Sequence, residues 1–151
     1  MCIRDRFKTA LQILVNHKND IGMKTKMVGL EDIPNLGGFD KQEDIKLFIK
    51  QSIENWGINY VLLVGADSDR KELFPARFAE LPTFLYEERF PCLLYYADIY
   101  KTNGGFSSWD DDGDHRYGEF EDDLSEMDMY PDVYLGYLPC NNAIELSLIH
   151  I

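Results

Sequence analysis

The chain has 151 residues, 15 of them basic and 27 acidic, for a formal net charge of −12. Hydrophobic residues at 45% and aromatics at 13% are ample for a packed core. The negative excess repels nucleic-acid phosphates and anionic membrane surfaces, and no stretch is long and apolar enough to cross a bilayer.

The six residues at each end stand apart from the rest. The opening Met1-Cys2-Ile3-Arg4-Asp5-Arg6 resembles a sequencing-library transposon adapter read in frame, and the closing Leu146-Ser147-Leu148-Ile149-His150-Ile151 resembles its reverse complement. The expected organisation is therefore adapter over 1–6, natural protein over 7–145, and adapter again over 146–151. Removing Arg4, Arg6 and Asp5 leaves 13 basic and 26 acidic residues. Two cysteines then remain, Cys92 and Cys140, with no metal-ligand spacing and no disulfide framework.

In chain order, Phe7, Ala10, Leu11, Leu14 and Val15 share one face of a helix over Phe7–Asp20, with Gly22 placed to close it. Lys24 and Lys26 alternate with Met23, Thr25 and Met27, which predicts a short strand over Met23–Val28. Gly29 to Phe39 reads as a loop. Asp40 followed by Glu43 has the form of a capping box, and Ile45, Phe48, Ile49, Ile53 and Trp56 trace one face of a helix that Gly57 ends. Tyr60 to Val64 is a continuous apolar run, which predicts a strand covered on both faces. Helix, strand, helix, strand in this order predicts an α/β domain with a parallel sheet.

Beyond Asp67, Pro75, Pro82 and Pro91 divide the chain into loops, with a short strand expected at Leu93–Tyr96. An acidic, glycine-bearing stretch runs from Asn103 to Asp128. Asp132 to Leu135 reads as a further strand ended by Gly136 and Pro139, and Asn141 or Asn142 is placed to cap a following helix.

Chemistry is concentrated in Ser108-Trp109-Asp110-Asp111-Asp112-Gly113-Asp114-His115-Arg116-Tyr117-Gly118-Glu119. Calcium takes six to eight oxygen ligands, which spaced carboxylates around a glycine turn can supply. Counted from Ser108, an EF-hand register takes Asp110, Asp112 and Glu119 with Gly113 at the turn. Counted from Asp110, it takes Asp110, Asp112, Asp114 and Glu121, with His115 where glycine is wanted. The candidate metal ligands are therefore Asp110, Asp112, Asp114 and Glu119, set against the plainer reading of a solvated acidic loop. Asp67 follows a strand end, where α/β sheets gather ligands, yet no glycine-rich phosphate loop accompanies it. Neither Cys92 nor Cys140 has an evident partner in His17 or His115, so no catalytic set is expected in the chain.

Several segments, taken in order, resemble the catalytic domain of gingipain-type cysteine peptidases. They are Lys18 to Val28, the helix ending Asn55-Trp56-Gly57, Tyr60-Val61-Leu62-Leu63-Val64-Gly65, and Phe74-Pro75-Ala76-Arg77. Tyr95-Tyr96-Ala97-Asp98, the acidic stretch ending Tyr117-Gly118-Glu119, and Pro131 to Pro139 follow. The family commonly has arginine after the glycine of the last strand, whereas Tyr137 follows Gly136 here. The resemblance implies a caspase-like α/β fold, truncated here, from a secreted endopeptidase acting on protein or peptide substrates. It also implies a cysteine–histidine dyad beyond Glu145 and a bound calcium ion. The alternative is a non-catalytic, calcium-dependent binding module on the same scaffold. A nucleotide-binding α/β half is a third option, which the absent glycine fingerprint argues against.

Overall fold

Phe7, Leu11 and Val15 are all buried on the first helix, α1 (Asp5–Asp20). Gly22 has φ +85° and closes α1, with the Gly22 N–H donating to Asn19 O and the Met23 N–H to Lys18 O. The computed structural model describes residues 2–3, 5–66, 74–82, 87–119, 123 and 127–148. The chain forms two compact units: Met1–Asn35 with Val61–Pro75 and Gly136–Ile151, and Leu36–Tyr60 with Ala76–Leu135.

The first unit carries the sheet. Strands β1 (Cys2–Ile3) and β2 (Val28–Gly29) pair in parallel, and β1 also pairs in parallel with β3 (Tyr60–Val64). With β6 (Tyr134–Leu138) at the edge, the strand order is β2-β1-β3-β6. Gly65 and Ala66 N–H groups donate to Leu138 and Cys140 carbonyls in rising order on both segments, which is the parallel sense. Phe7, Leu11, Val64, Cys140 and Leu146 form the core, flanked by Ala10, Leu14, Met27, Leu62 and Leu138. The expected α/β class with a parallel sheet flanked by helices is what the chain adopts. The helix after Pro139 is α3 (Ala143–Leu148), and of the two candidate caps it is Asn142 whose Oδ1 accepts the Ile144 and Glu145 N–H groups.

Three expectations are corrected here. The strand over Met23–Val28 shrinks to Val28–Gly29, because Asn19 of α1 captures the intervening backbone. Its Oδ1 accepts the Thr25 N–H at 2.8 Å and its Nδ2 donates to Thr25 O. Residues Leu93–Tyr96 form a 3-10 turn rather than a strand, with the Ala97 and Asp98 N–H groups both directed to Leu94 O. The last strand begins at Tyr134 rather than Asp132. Asp132 is instead a tie: its Oδ2 accepts the Ile99 and Tyr100 N–H groups, and its own N–H donates to Ala97 O.

In the second unit, α2 (Lys41–Trp56) starts as expected, with Asp40 Oδ1 accepting the Glu43 N–H at 2.9 Å. The reciprocal bond of the capping box is displaced by one residue, since Glu43 Oε2 accepts from the Phe39 N–H. Gly57 ends the helix at φ +63° and donates to Ile53 O. Ile45 and Ile49 are buried, but Trp56 at the end of the expected face is 51% exposed. The prolines that read as loop breakers bound an antiparallel hairpin, β4 (Phe78–Pro82) with β5 (Glu87–Pro91). Pro82 and Pro91 fall at the strand ends, where a missing N–H costs the ladder least.

Candidate functional site

The acidic loop lies wholly in the second unit and is rooted on Trp109. This side chain is 1% exposed, its backbone has φ +67°, and its Nε1–H donates to Asp98 Oδ2 at 2.6 Å. Trp109 O accepts the Gly118 N–H at 2.9 Å, so the ends of the loop are drawn together. Between them the aspartates make successive local turns. Asp112 Oδ1 accepts the Asp114 N–H and Asp114 Oδ1 accepts the Arg116 N–H. His115, at φ +70°, gives its N–H to Asp110 Oδ1 and brings Nδ1 to 3.3 Å from Asp110 Oδ2. Its ring stacks on Phe39 with centroids 3.6 Å apart.

Asp110, Asp112 and Asp123 each offer a carboxylate oxygen, and the three atoms lie within 4.8 Å of one another. Asp123 is fully buried. Its Oδ1 accepts the Asp111 N–H at 2.7 Å and its Oδ2 the Glu119 N–H at 3.1 Å. Burial pushes the Asp123 carboxyl up; bonds from the Asp111, Glu119 and Gly118 backbone oppose this, while the neighbouring Asp110 charge adds to it. A cation among these oxygens would relieve that repulsion, and all three donors are of the hard type that calcium prefers.

Of the four ligands expected from spacing, Asp110 and Asp112 join this cluster and Asp114 and Glu119 do not. Asp114 spends its carboxylate on the Arg116 turn. Glu119 is held by Arg116 Nη1 at 2.6 Å. Burial raises the Glu119 carboxyl, against the lowering effect of Arg116. EF-hand spacing presumes a helix after the loop, and none flanks it among the described residues. Asp123 was missed because it lies beyond the last position of both EF-hand registers, so spacing alone does not select it. Glu121 and Asp67 lie outside the described residues.

The thiols and imidazoles are dispersed. Cys140 is fully buried in the first unit's core, and burial pushes its thiol up. Cys92 is partly buried ahead of the 3-10 turn. His17 lies exposed in the last turn of α1. Among the described residues, no cysteine has a histidine as hydrogen-bond partner.

The rest of the second unit is a polar framework within an aromatic core. Arg77 is 4% exposed and forks onto Asp40, with Nη1–Oδ2 at 2.8 Å and Nη2–Oδ1 at 2.7 Å. Its guanidinium lies 3.6 Å from the Tyr117 ring centroid and 4.6 Å from that of Tyr95. Lys46 of α2, also fully buried, sets Nζ 4.1 Å from the Tyr95 centroid and 5.4 Å from the centre of Trp109. Glu80 of β4 is held by Arg116 Nε at 2.7 Å and Arg89 Nε at 3.1 Å.

The first unit is a helix-flanked parallel sheet of the α/β class, and the second carries a carboxylate-bearing loop rooted on a buried tryptophan. The chain belongs to peptidase family C25, the gingipain family of cysteine peptidases, whose family model matches residues 1–149. No curated protein and no solved structure matches it. Membership makes proteins the substrate class. No helix among the described residues is long and apolar enough to cross a membrane. Tyr137 is partly buried and packs its ring 6.5 Å from that of Phe74.

Proposed function

We propose that this chain is the scaffold portion of a secreted cysteine endopeptidase whose catalytic dyad lies outside residues 7–145. The observation that carries the reading is the family match over residues 1–149. In the parent enzyme, histidine would take the thiol proton and the resulting thiolate would add to the peptide carbonyl, forming the sulfur–carbon bond. Histidine would then give that proton to the leaving amine as the carbon–nitrogen bond breaks, leaving a thioester that water hydrolyses to release the acid and restore the thiol. Backbone N–H groups would hold the oxyanion. The sealed position of Cys140 supports assigning the nucleophile elsewhere, since a buried thiol with a raised pKa is a poor source of thiolate.

The acidic loop is proposed as a structural calcium site formed by Asp110, Asp112 and Asp123. Their convergent oxygens support it. The ion would supply positive charge that fastens the loop, and Asp114 and Glu119 would act through loop geometry rather than as ligands.

The peptidase reading is tested by assaying residues 7–145 and the uninterrupted parent protein on fluorogenic peptides, with and without a thiol-blocking reagent. The parent is expected to turn over substrate in a thiol-dependent manner, and the fragment is not. Thiol-dependent turnover by the fragment would overturn the placement of the dyad. Sequencing the gene across both junctions also tests the adapter origin of residues 1–6 and 146–151. Native codons for the same residues would refute it.

A further inference from the structure

Asp98 lies at the end of the Tyr95–Asp98 segment with no exposed surface. Its Oδ2 accepts the Trp109 indole N–H at 2.6 Å, a short bond to an acceptor that is strongest when ionised. Its Oδ1 has no hydrogen-bond partner among the described residues. The charged groups facing it are the Lys46 ammonium from α2 and the Asp128 and Asp132 carboxylates from the segment before β6. A fully buried carboxylate with one oxygen unsatisfied carries a desolvation cost that a single bound proton removes. That group is joined to Trp109, the residue immediately before Asp110 and the acceptor of the Gly118 N–H.

We propose that Asp98 is a proton-sensitive fastening for the acidic loop. As a carboxylate it grips the Trp109 indole and fixes the root of the loop; as a neutral acid in weakly acidic solution it relaxes that grip. Burial favours the neutral form and raises the Asp98 carboxyl to about 6, the Trp109 bond and Lys46 charge opposing and Asp128 and Asp132 reinforcing the rise. The loosening acts on the polypeptide itself and requires no bound metal.

The chain contains two tryptophans, half-exposed Trp56 and buried Trp109, so their indole N–H resonances are separable by proton–nitrogen NMR on the whole chain. On acidification without added metal, the Trp109 indole resonance is expected to shift in one step with a midpoint near pH 6, while Trp56 stays in place. Amide exchange across Asp110–Gly118 should speed up through the same transition. Asp98→Asn keeps an acceptor for the indole and removes the titration, so its Trp109 resonance should not move. A Trp109 resonance independent of pH in the unaltered chain overturns the proposal, as does the same step persisting in folded Asp98→Asn. Should that variant fail to fold, carbon-13 titration of the Asp98 carboxyl in the unaltered chain decides. A midpoint matching the Trp109 step supports the proposal, and a mismatch overturns it.

Discussion

Replacing Asp40 by alanine removes two contributions with one cut. The side chain caps α2 through the Glu43 N–H, a bond whose loss costs about 1 kcal/mol. It also receives both arms of Arg77, and stranding a buried charge by deleting its partner costs about 3–5 kcal/mol. The Asp40 side chain is itself 29% exposed, so water can reach part of the gap, which favours a total near the lower end, about 4 kcal/mol. For a chain of this size that corresponds to a fall in melting temperature of roughly 10 °C. Asp40→Asn keeps the cap and gives up the charge, and should cost less, about 2 kcal/mol.

The pH dependence of the pair has a definite sign. Burial raises the Asp40 carboxyl, but the bonds from Arg77 and the Glu43 N–H, with the Arg77 charge, leave it below its ordinary 3.8. Its stabilising effect is therefore present above that value and is lost as the pH falls through the lower, folded-state value. Urea unfolding of the three proteins, followed by circular dichroism at neutral and strongly acidic pH, tests both statements. A cost below about 1 kcal/mol for Asp40→Ala at neutral pH would refute the treatment of Arg77 as a desolvated charge held by its partner.

Calcium at a hundredfold excess over its dissociation constant should stabilise the folded chain by about 2.7 kcal/mol, read as a higher melting temperature. Asp110→Ala and Asp112→Ala should abolish that rise and Asp114→Ala should preserve it; equal rises in all four proteins would remove the site. Because the Asp98 carboxyl is raised by burial, its contribution to stability is complete below 3.8 and is lost as the pH climbs through about 6. Unfolding measured across that window should show a decline that Asp98→Asn flattens, and parallel curves would contradict it. Gly57→Ala places a Cβ on a residue at φ +63°, with an expected cost of about 1 kcal/mol in the same denaturation assay. No loss would mean that the cap relaxes into another conformation.

The elements legible in the sequence are those whose stabilisation is local or one-sided. α1 and α2 announce themselves through apolar periodicity and their end signals, and β3 through an unbroken apolar run, so the α/β class follows from pattern alone. The hairpin β4–β5 escaped notice because prolines at strand ends look the same in sequence as prolines in loops. Only the antiparallel partner shows that the missing N–H groups fall where the ladder ends. Met23–Met27 alternates like a strand, yet Asn19 offers its backbone a nearer hydrogen-bond partner. In the acidic loop, composition identified the region and put Asp110 and Asp112 in it, while only the fold brought Asp123 to them. Spacing along a chain specifies ligands when a rigid local motif converts it into geometry. Here no helix follows the loop among the described residues; the carboxylates are turned instead by backbone N–H groups of the loop itself and by Arg116, and Asp123 is brought back to the Asp111 N–H.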